Sequence, residues 1–186
     1  MSYLEKAVVF DCDGEQLVGI VTQPTVRAEA HQPAKASGVV IVVGGPQYRL
    51  GSHRQFLHLA RGLACAGYPV MRFDVRGMGD STGDLHDFEN ITPDIQAAID
   101  ALQRSNPQVE RVALWGLCDG ASAALLYWQD TGDTRVRGLG LVNPWVRSEA
   151  SLARIQVKHY YLQRLVQRAF WIKLASGRIA WTAVVG

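Results

Sequence analysis

The sequence predicts an α/β fold: a mostly parallel sheet with helices on both faces. Short β-branched runs such as "GVVIVVGG" (38–45) are continuous rather than alternating, as strands buried on both faces are. Stretches of helical spacing separate these runs in regular alternation, the pattern of a parallel sheet with crossover helices. The 186 residues, 48% of them apolar, suit a single packed core.

The elements follow in order. "AVVFDCDGEQLVGIVTQP" sets two apolar runs around Asp13-Gly14, a hairpin signal. "TVRAEAHQPAKAS" is polar connection, and "GVVIVVGG" is the first buried strand. "HRQFLHLARGLACAG" places Phe56, Leu59, Ala60 and Leu63 on one helical face and stops at Gly67. "YPVMRFDV" is the next strand and "GMGDSTGD" a loop. "TPDIQAAIDALQRSN" reads as a helix with a Thr92 cap and Pro93 in its first turn. "RVALWG" is a strand, "DGASAALLYWQD" a helix and "RVRGLGLVNP" a strand. The expected division is a core over 1–145, a helical cap over 146–178 and a tail over 179–186.

Charge and cysteines bound the chemistry. A net charge of +2 argues against binding nucleic acid by charge alone. Between Arg147 and Arg178, seven Lys/Arg face one acid, Glu149, so this segment carries +6 and the remainder −4. Cys12, Cys65 and Cys118 have no paired spacing, which argues against a disulfide framework. The N-terminus has acids where a signal peptide needs an apolar stretch, and no run reaches membrane-spanning length. A reducing, cytoplasmic setting is expected.

Gly116-Leu117-Cys118-Asp119-Gly120 joins a buried strand directly to a helix. A cysteine in an apolar stretch is ordinarily a buried, inert hydrophobe. Here, however, glycines stand two before and two after it, as a nucleophile elbow requires because larger side chains would collide in so tight a turn. Such a turn holds its nucleophile in a strained conformation at a helix N-terminus, where thiolate is favoured over thiol. Cys118 is therefore the expected nucleophile. The oxyanion donors expected with it are the backbone N–H groups of Asp119 and Gln47; Pro46 has none to give, and Gly44-Gly45 lets the backbone approach. "FDVRGMGDSTG" lacks the spacing of a phosphate cradle, so Asp74 and Arg76 are expected to pin their long loop by pairing near the strand end.

These features together resemble the α/β-hydrolases. More narrowly, "GGPQYRLGSHRQF", "RFDVRGMGDSTG", "LWGLCDGASAALLY", "LVNPWVRSEA" and "KHYYLQRL" resemble the exosortase A system-associated hydrolases, type 1, up to about Ile179. These are predicted hydrolases of bacteria that make exopolysaccharide and sort proteins with a PEP-CTERM tail. The resemblance implies a hydrolase with no metal or organic cofactor, its nucleophile falling on Cys118. The elbow chemistry leads to an expected small-molecule ester or thioester as substrate. A dienelactone-hydrolase-like activity is the alternative enzyme, since that related group also seats cysteine in the elbow.

In this fold the triad acid and histidine follow the sixth strand. Four of the five histidines (His31, His53, His58, His86) precede the elbow, and His159 lies in a helical stretch. The acid and base are therefore expected beyond Gly186, the chain being the N-terminal part of a longer hydrolase and itself inactive or barely active. His53 or His86 is the out-of-order substitute. An exposed sheet edge open to self-association is also expected. Over 154–175, Tyr161, Leu162, Leu165, Val166, Ala169 and Ile172 form a helical stripe with Arg164 and Arg168 on another face. It reads as a lid over the site or as a peripheral membrane helix. A non-catalytic module docking to membrane or exosortase machinery is the reading outside enzymes.

Overall fold

A computed structural model describes residues 2–25, 36–45 and 47–145 of the chain. The expected cap over 146–178, with its apolar stripe, Arg164, Arg168 and His159, and the expected tail over 179–186 lie outside the described residues. Six strands, β1 (Ser2–Cys12), β2 (Glu15–Thr25), β3 (Ser37–Val42), β4 (Val70–Phe73), β5 (Arg111–Leu117) and β6 (Val136–Val142), form one sheet in the order β1-β2-β4-β3-β5-β6. Three helices, α1 (Gln55–Cys65), α2 (Thr92–Ser105) and α3 (Asp119–Thr131), complete the core.

The opening hairpin pairs Cys12 with Glu15 across a two-residue turn, and both turn residues, Asp13 and Gly14, have positive φ (54° and 85°). An Asp-Gly pair meets that demand with little strain. β2 then joins β4 antiparallel, while β4, β3, β5 and β6 run parallel to one another. The sheet is thus mixed at the hairpin and parallel beyond it.

β3 shows why its sequence is continuously apolar. Val40 and Val42 pack with Ile95, Ile99 and Leu102 of α2 and Tyr127 of α3. Val39, Ile41 and Val43 pack with Phe56 and Ala60 of α1. Side chains alternate between faces, so a strand covered on both sides has no solvent-facing register to fill with polar residues. Phe56 also meets Trp115 edge-on, with ring centroids 5.7 Å apart.

Several local expectations are corrected. Helix α1 starts at Gln55, because Ser52–Arg54 form a separate 3₁₀ turn in which His53 and Arg54 have positive φ. Ile91, not Thr92, occupies the N-cap of α2, with no side-chain cap bond. Pro93 does sit in the first turn, where its missing N–H has no intrahelical role. Asp74 and Arg76 do anchor their loop, but not to each other. Asp74 accepts from the Arg49 N–H at 2.7 Å, from its guanidinium, and from the Asp80 N–H at 3.1 Å. Arg76 binds Asp94 of α2 through its backbone N–H and two guanidinium nitrogens, at 2.8 to 3.0 Å.

The α3–β6 connection carries a titratable anchor. Asp133 accepts from the Arg135 guanidinium at 2.7 and 3.0 Å and from the Tyr127 hydroxyl at 2.6 Å. The guanidinium, opposed by desolvation and aided by the hydroxyl, holds this carboxyl at about 2, against an ordinary 3.8. A depressed carboxyl stabilises the fold fully above its unfolded value and loses that contribution as pH falls towards its folded value. Asp133→Asn is therefore expected to lose about 2 kcal/mol at pH 7, and roughly half as much at pH 3. Urea unfolding of the two proteins at both pH values measures the difference.

No helix among the described residues is long and apolar enough to cross a membrane.

Candidate active site at the ends of the central strands

β5 and α3 meet at Cys118 with no intervening loop, which confines the turn to one residue. Cys118 takes φ 51°, ψ −119°, a region L-residues rarely enter. The flanking glycines make the turn possible. A Cβ on Gly116 would lie 2.2 Å from the Gly120 carbonyl oxygen, and one on Gly120 would lie 2.3 Å from the Val42 carbonyl oxygen. Gly44, past the end of β3, is a third such position: its Cβ would meet the Gly120 nitrogen at 2.0 Å. The backbone after β3 therefore lies directly against the elbow.

Cys118 is exposed at the head of α3. Its carbonyl accepts from the N–H groups of Ala121 (2.9 Å) and Ser122 (3.2 Å), closing the first turn of the helix. Its own N–H donates to the Val142 carbonyl at 2.9 Å. Asp119 is the first residue of α3, so its N–H has no intrahelical acceptor and its carboxylate stands at the favourable end of the helix dipole. Gln47 is arranged otherwise than the sequence suggested. Its N–H donates to the Gly45 carbonyl at 2.8 Å, and its Oε1 is buried without a hydrogen-bond partner. Service at an oxyanion would require that tight turn to open.

Sequence reasoning missed two features. A cavity of about 270 Å³ beside the elbow is walled by Val43, Val75, Met78, Phe88 and Ile91, with Gly44, Gly45, Leu85, His86 and Asp119 completing its lining. His86 thus shares a cavity with Asp119, whereas His53 is exposed in the 3₁₀ turn. Among the described residues no histidine hydrogen-bonds the Cys118 sulfur. Its side-chain partner is instead Asn143, whose Nδ2 donates to Sγ at 3.6 Å. No local motif signals that contact, because strand pairing creates it.

The three thiols differ sharply in setting. Cys12 is buried, and burial, reinforced by the charges of Asp94, Asp13 and Asp11 and opposed by Arg76, pushes its thiol up to about 11. Cys65 is half-buried on α1. Cys118 alone is exposed at a helix N-terminus, and iodoacetamide should modify it about tenfold or more faster than Cys12. Time-resolved peptide mass spectrometry of the native protein gives the order; a slowest Cys118 would sink the nucleophile assignment.

The backbone frame recurs in solved structures. The Pyrococcus furiosus esterase Pf2001 superposes with a TM-score of 0.69 at 19% identity, over 87% of this chain and 57% of that one. Est1E from Butyrivibrio proteoclasticus, solved with ferulic acid bound, gives 0.62 at 22% identity, over 74% and 53% of the two chains. The α/β-hydrolase GrgF from Penicillium sp. gives 0.64 at 22% identity, over 87% and 54%. At these identities the likeness is one of fold, and the chain spans little more than half the length of these relatives. No curated protein matches the sequence. Residues 34–181, by contrast, match the family described as serine aminopeptidase, S33, whose model takes in the elbow, the strands around it and most of the chain. The chain belongs to that family of α/β-hydrolases.

Proposed function

We propose that the protein hydrolyses an ester or thioester through an acyl-Cys118 intermediate. The observation that carries this reading is the conformation of Cys118: φ 51°, ψ −119°, exposed, between β5 and α3 and hemmed by glycines. A fold does not maintain such backbone strain at a side chain without contacts that over-determine it, and strained residues cluster where chemistry is done. That the residue is cysteine in a family named for serine makes thiolate the attacking species.

The thiolate sulfur attacks the acyl carbonyl carbon, and a C–S bond forms as the carbonyl electrons move onto oxygen. The Asp119 N–H, with that of Gln47 once released from Gly45, receives the oxyanion. Collapse of the tetrahedral species breaks the bond to the leaving alkoxide or thiolate. Water then adds to the thioester carbonyl, the C–S bond breaks, the acyl group leaves as the carboxylic acid and a proton from that water returns to the Cys118 sulfur. The apolar cavity beside Asp119 suits the hydrocarbon part of the substrate.

Two further parts of the reading rest on sequence. The five segments quoted above support membership of the exosortase-linked type, and three cysteines without paired spacing suit a reducing, cytoplasmic compartment. Trp128 and Val142, exposed on α3 and on β6 at the end of the described sheet, suit self-association.

p-Nitrophenyl acetate tests the chemistry. One equivalent of p-nitrophenol should appear rapidly, with an acetyl group on Cys118, and Cys118→Ala should abolish both. Release unchanged in Cys118→Ala would overturn the reading.

A further inference from the structure

We infer that Asn143 is a positioning residue for the Cys118 sulfur: its side-chain amide holds Sγ in place for attack. The inference deepens the reading of Cys118 as nucleophile and rests on it.

The geometry begins with strand register. β5 and β6 pair in parallel, Gly116 opposite Leu141 and Leu117 opposite Val142. One step further along each strand sets Asn143 beside Cys118. The two strand ends are bound to each other there by the Cys118 N–H, which donates to the Val142 carbonyl at 2.9 Å. Two residues on, the Ser122 hydroxyl of α3 donates to the Trp145 carbonyl. Segment 142–145 is therefore fastened on both sides of Asn143 to the same elbow that carries the cysteine.

The side chain completes the arrangement. Nδ2 of Asn143 donates to Sγ at 3.6 Å, within reach of the large sulfur atom. Both residues of this contact have a positive φ, 51° at Cys118 and 48° at Asn143. The second is unusual, because Pro144 follows and a residue before proline is steered towards extended backbone. Asparagine is among the few side chains that tolerate the left-handed region, and it is short enough to turn back on the neighbouring strand. The strain at Asn143 and the contact it makes point to one purpose, a neutral amide donor aimed at the sulfur. A neutral donor suits that place. It stays a donor at every working pH and adds no charge that must be desolvated. Alignment of Sγ follows from the same bond, since the donor fixes the side-chain rotamer.

The test separates the donor from the backbone conformation. Asn143→Gly keeps the left-handed residue and removes the donor; Asn143→Asp keeps the shape and places a carboxylate against the sulfur. Second-order rate constants for iodoacetamide at Cys118 should fall about tenfold at pH 7 in Asn143→Gly, the size expected for losing one hydrogen bond to a charged acceptor. They should fall further in Asn143→Asp, whose alkylation profile should move to higher pH because a like charge disfavours the thiolate. Cys65, modified in the same samples, should react at an unchanged rate, and continued protection of Cys12 reports that each variant is folded. Wild-type rates at Cys118 in both variants would overturn the inference, as would a wild-type rate in Asn143→Asp alone. Because the readout is thiol reactivity, it stands apart from acyl transfer. An acetyl-Cys118 adduct together with unaffected alkylation sinks only the role of Asn143; slowed alkylation with no adduct sinks only the hydrolase reading.

Discussion

Alanine at Gly116 is expected to destabilise the protein by about 3 kcal/mol, the upper end of what overpacking a core position costs. The added methyl would lie 2.2 Å from the Gly120 oxygen, 2.3 Å from its carbonyl carbon and 2.5 Å from the Ala121 nitrogen. All three are backbone atoms of the first turn of α3, so no side-chain rotation relieves the overlap. Only a shift of the helix relative to β5 can, and that shift would also move Cys118. The same alanine scan has an internal contrast. Gly62, in α1, has nothing within 4 Å of a Cβ and is exposed, so Gly62→Ala should raise stability by roughly 0.5–1 kcal/mol through helix propensity. Urea midpoints of the two variants, with Cys118 alkylation on each, measure both the stability and the placement of the thiol. A Gly116→Ala protein as stable and reactive as wild type would show that the elbow does not need its glycine.

How far the sequence carried depended on whether the determining atoms were near in the chain. Asp13-Gly14 announced its hairpin because the turn residues themselves supply the two positive φ angles. Gly116 announced the elbow for the same reason: the clash it avoids is with Gly120 and Ala121, within five positions of it, whereas the clash that Gly120 avoids is with Val42 of β3. Partners brought by other elements were not legible. The loop after β4 was expected to be pinned by Asp74 and Arg76 as a pair. The structure instead gives Asp74 to Arg49 and Arg76 to Asp94, residues 25 and 18 positions away. Asn143 reaches Cys118 only because β5 and β6 pair in one particular register. Gln47 was expected to offer its amide to the site, yet a local turn directs it to Gly45. A local turn competes for the same donor, and nothing in the residue types decides which acceptor wins.

Removing the Asp94 carboxylate should be the more damaging change, about 3–5 kcal/mol, because it strands a largely buried cation rather than adding bulk. Asp94 is fully buried in the first turn of α2, and Arg76 is 9% exposed. Asp94 accepts from the Arg76 backbone N–H at 2.8 Å, from Nε at 3.0 Å and from a terminal guanidinium nitrogen at 2.8 Å. Without it, Arg76 keeps, among the described residues, only the Asn90 carbonyl at 3.4 Å and the water-exposed Asp13 carboxylate at 3.2 Å. Those contacts do not replace the hydration its guanidinium gave up. The damage should also have a direction. Residues 77–91 run between the two members of this pair and carry Met78, Leu85, His86 and Phe88, which line the cavity next to Asp119. Asp94→Ala should therefore raise amide hydrogen exchange in that loop and α2 before it does so in β3 or β5. If stranding the charge is the cause, Asp94→Ala with Arg76→Met should recover much of the stability that Asp94→Ala loses alone, since a buried pair can be replaced by apolar side chains at little net cost. Equal loss in the single and double variants would mean instead that the hydrogen bonds to the Arg76 backbone, rather than its charge, hold the loop in place.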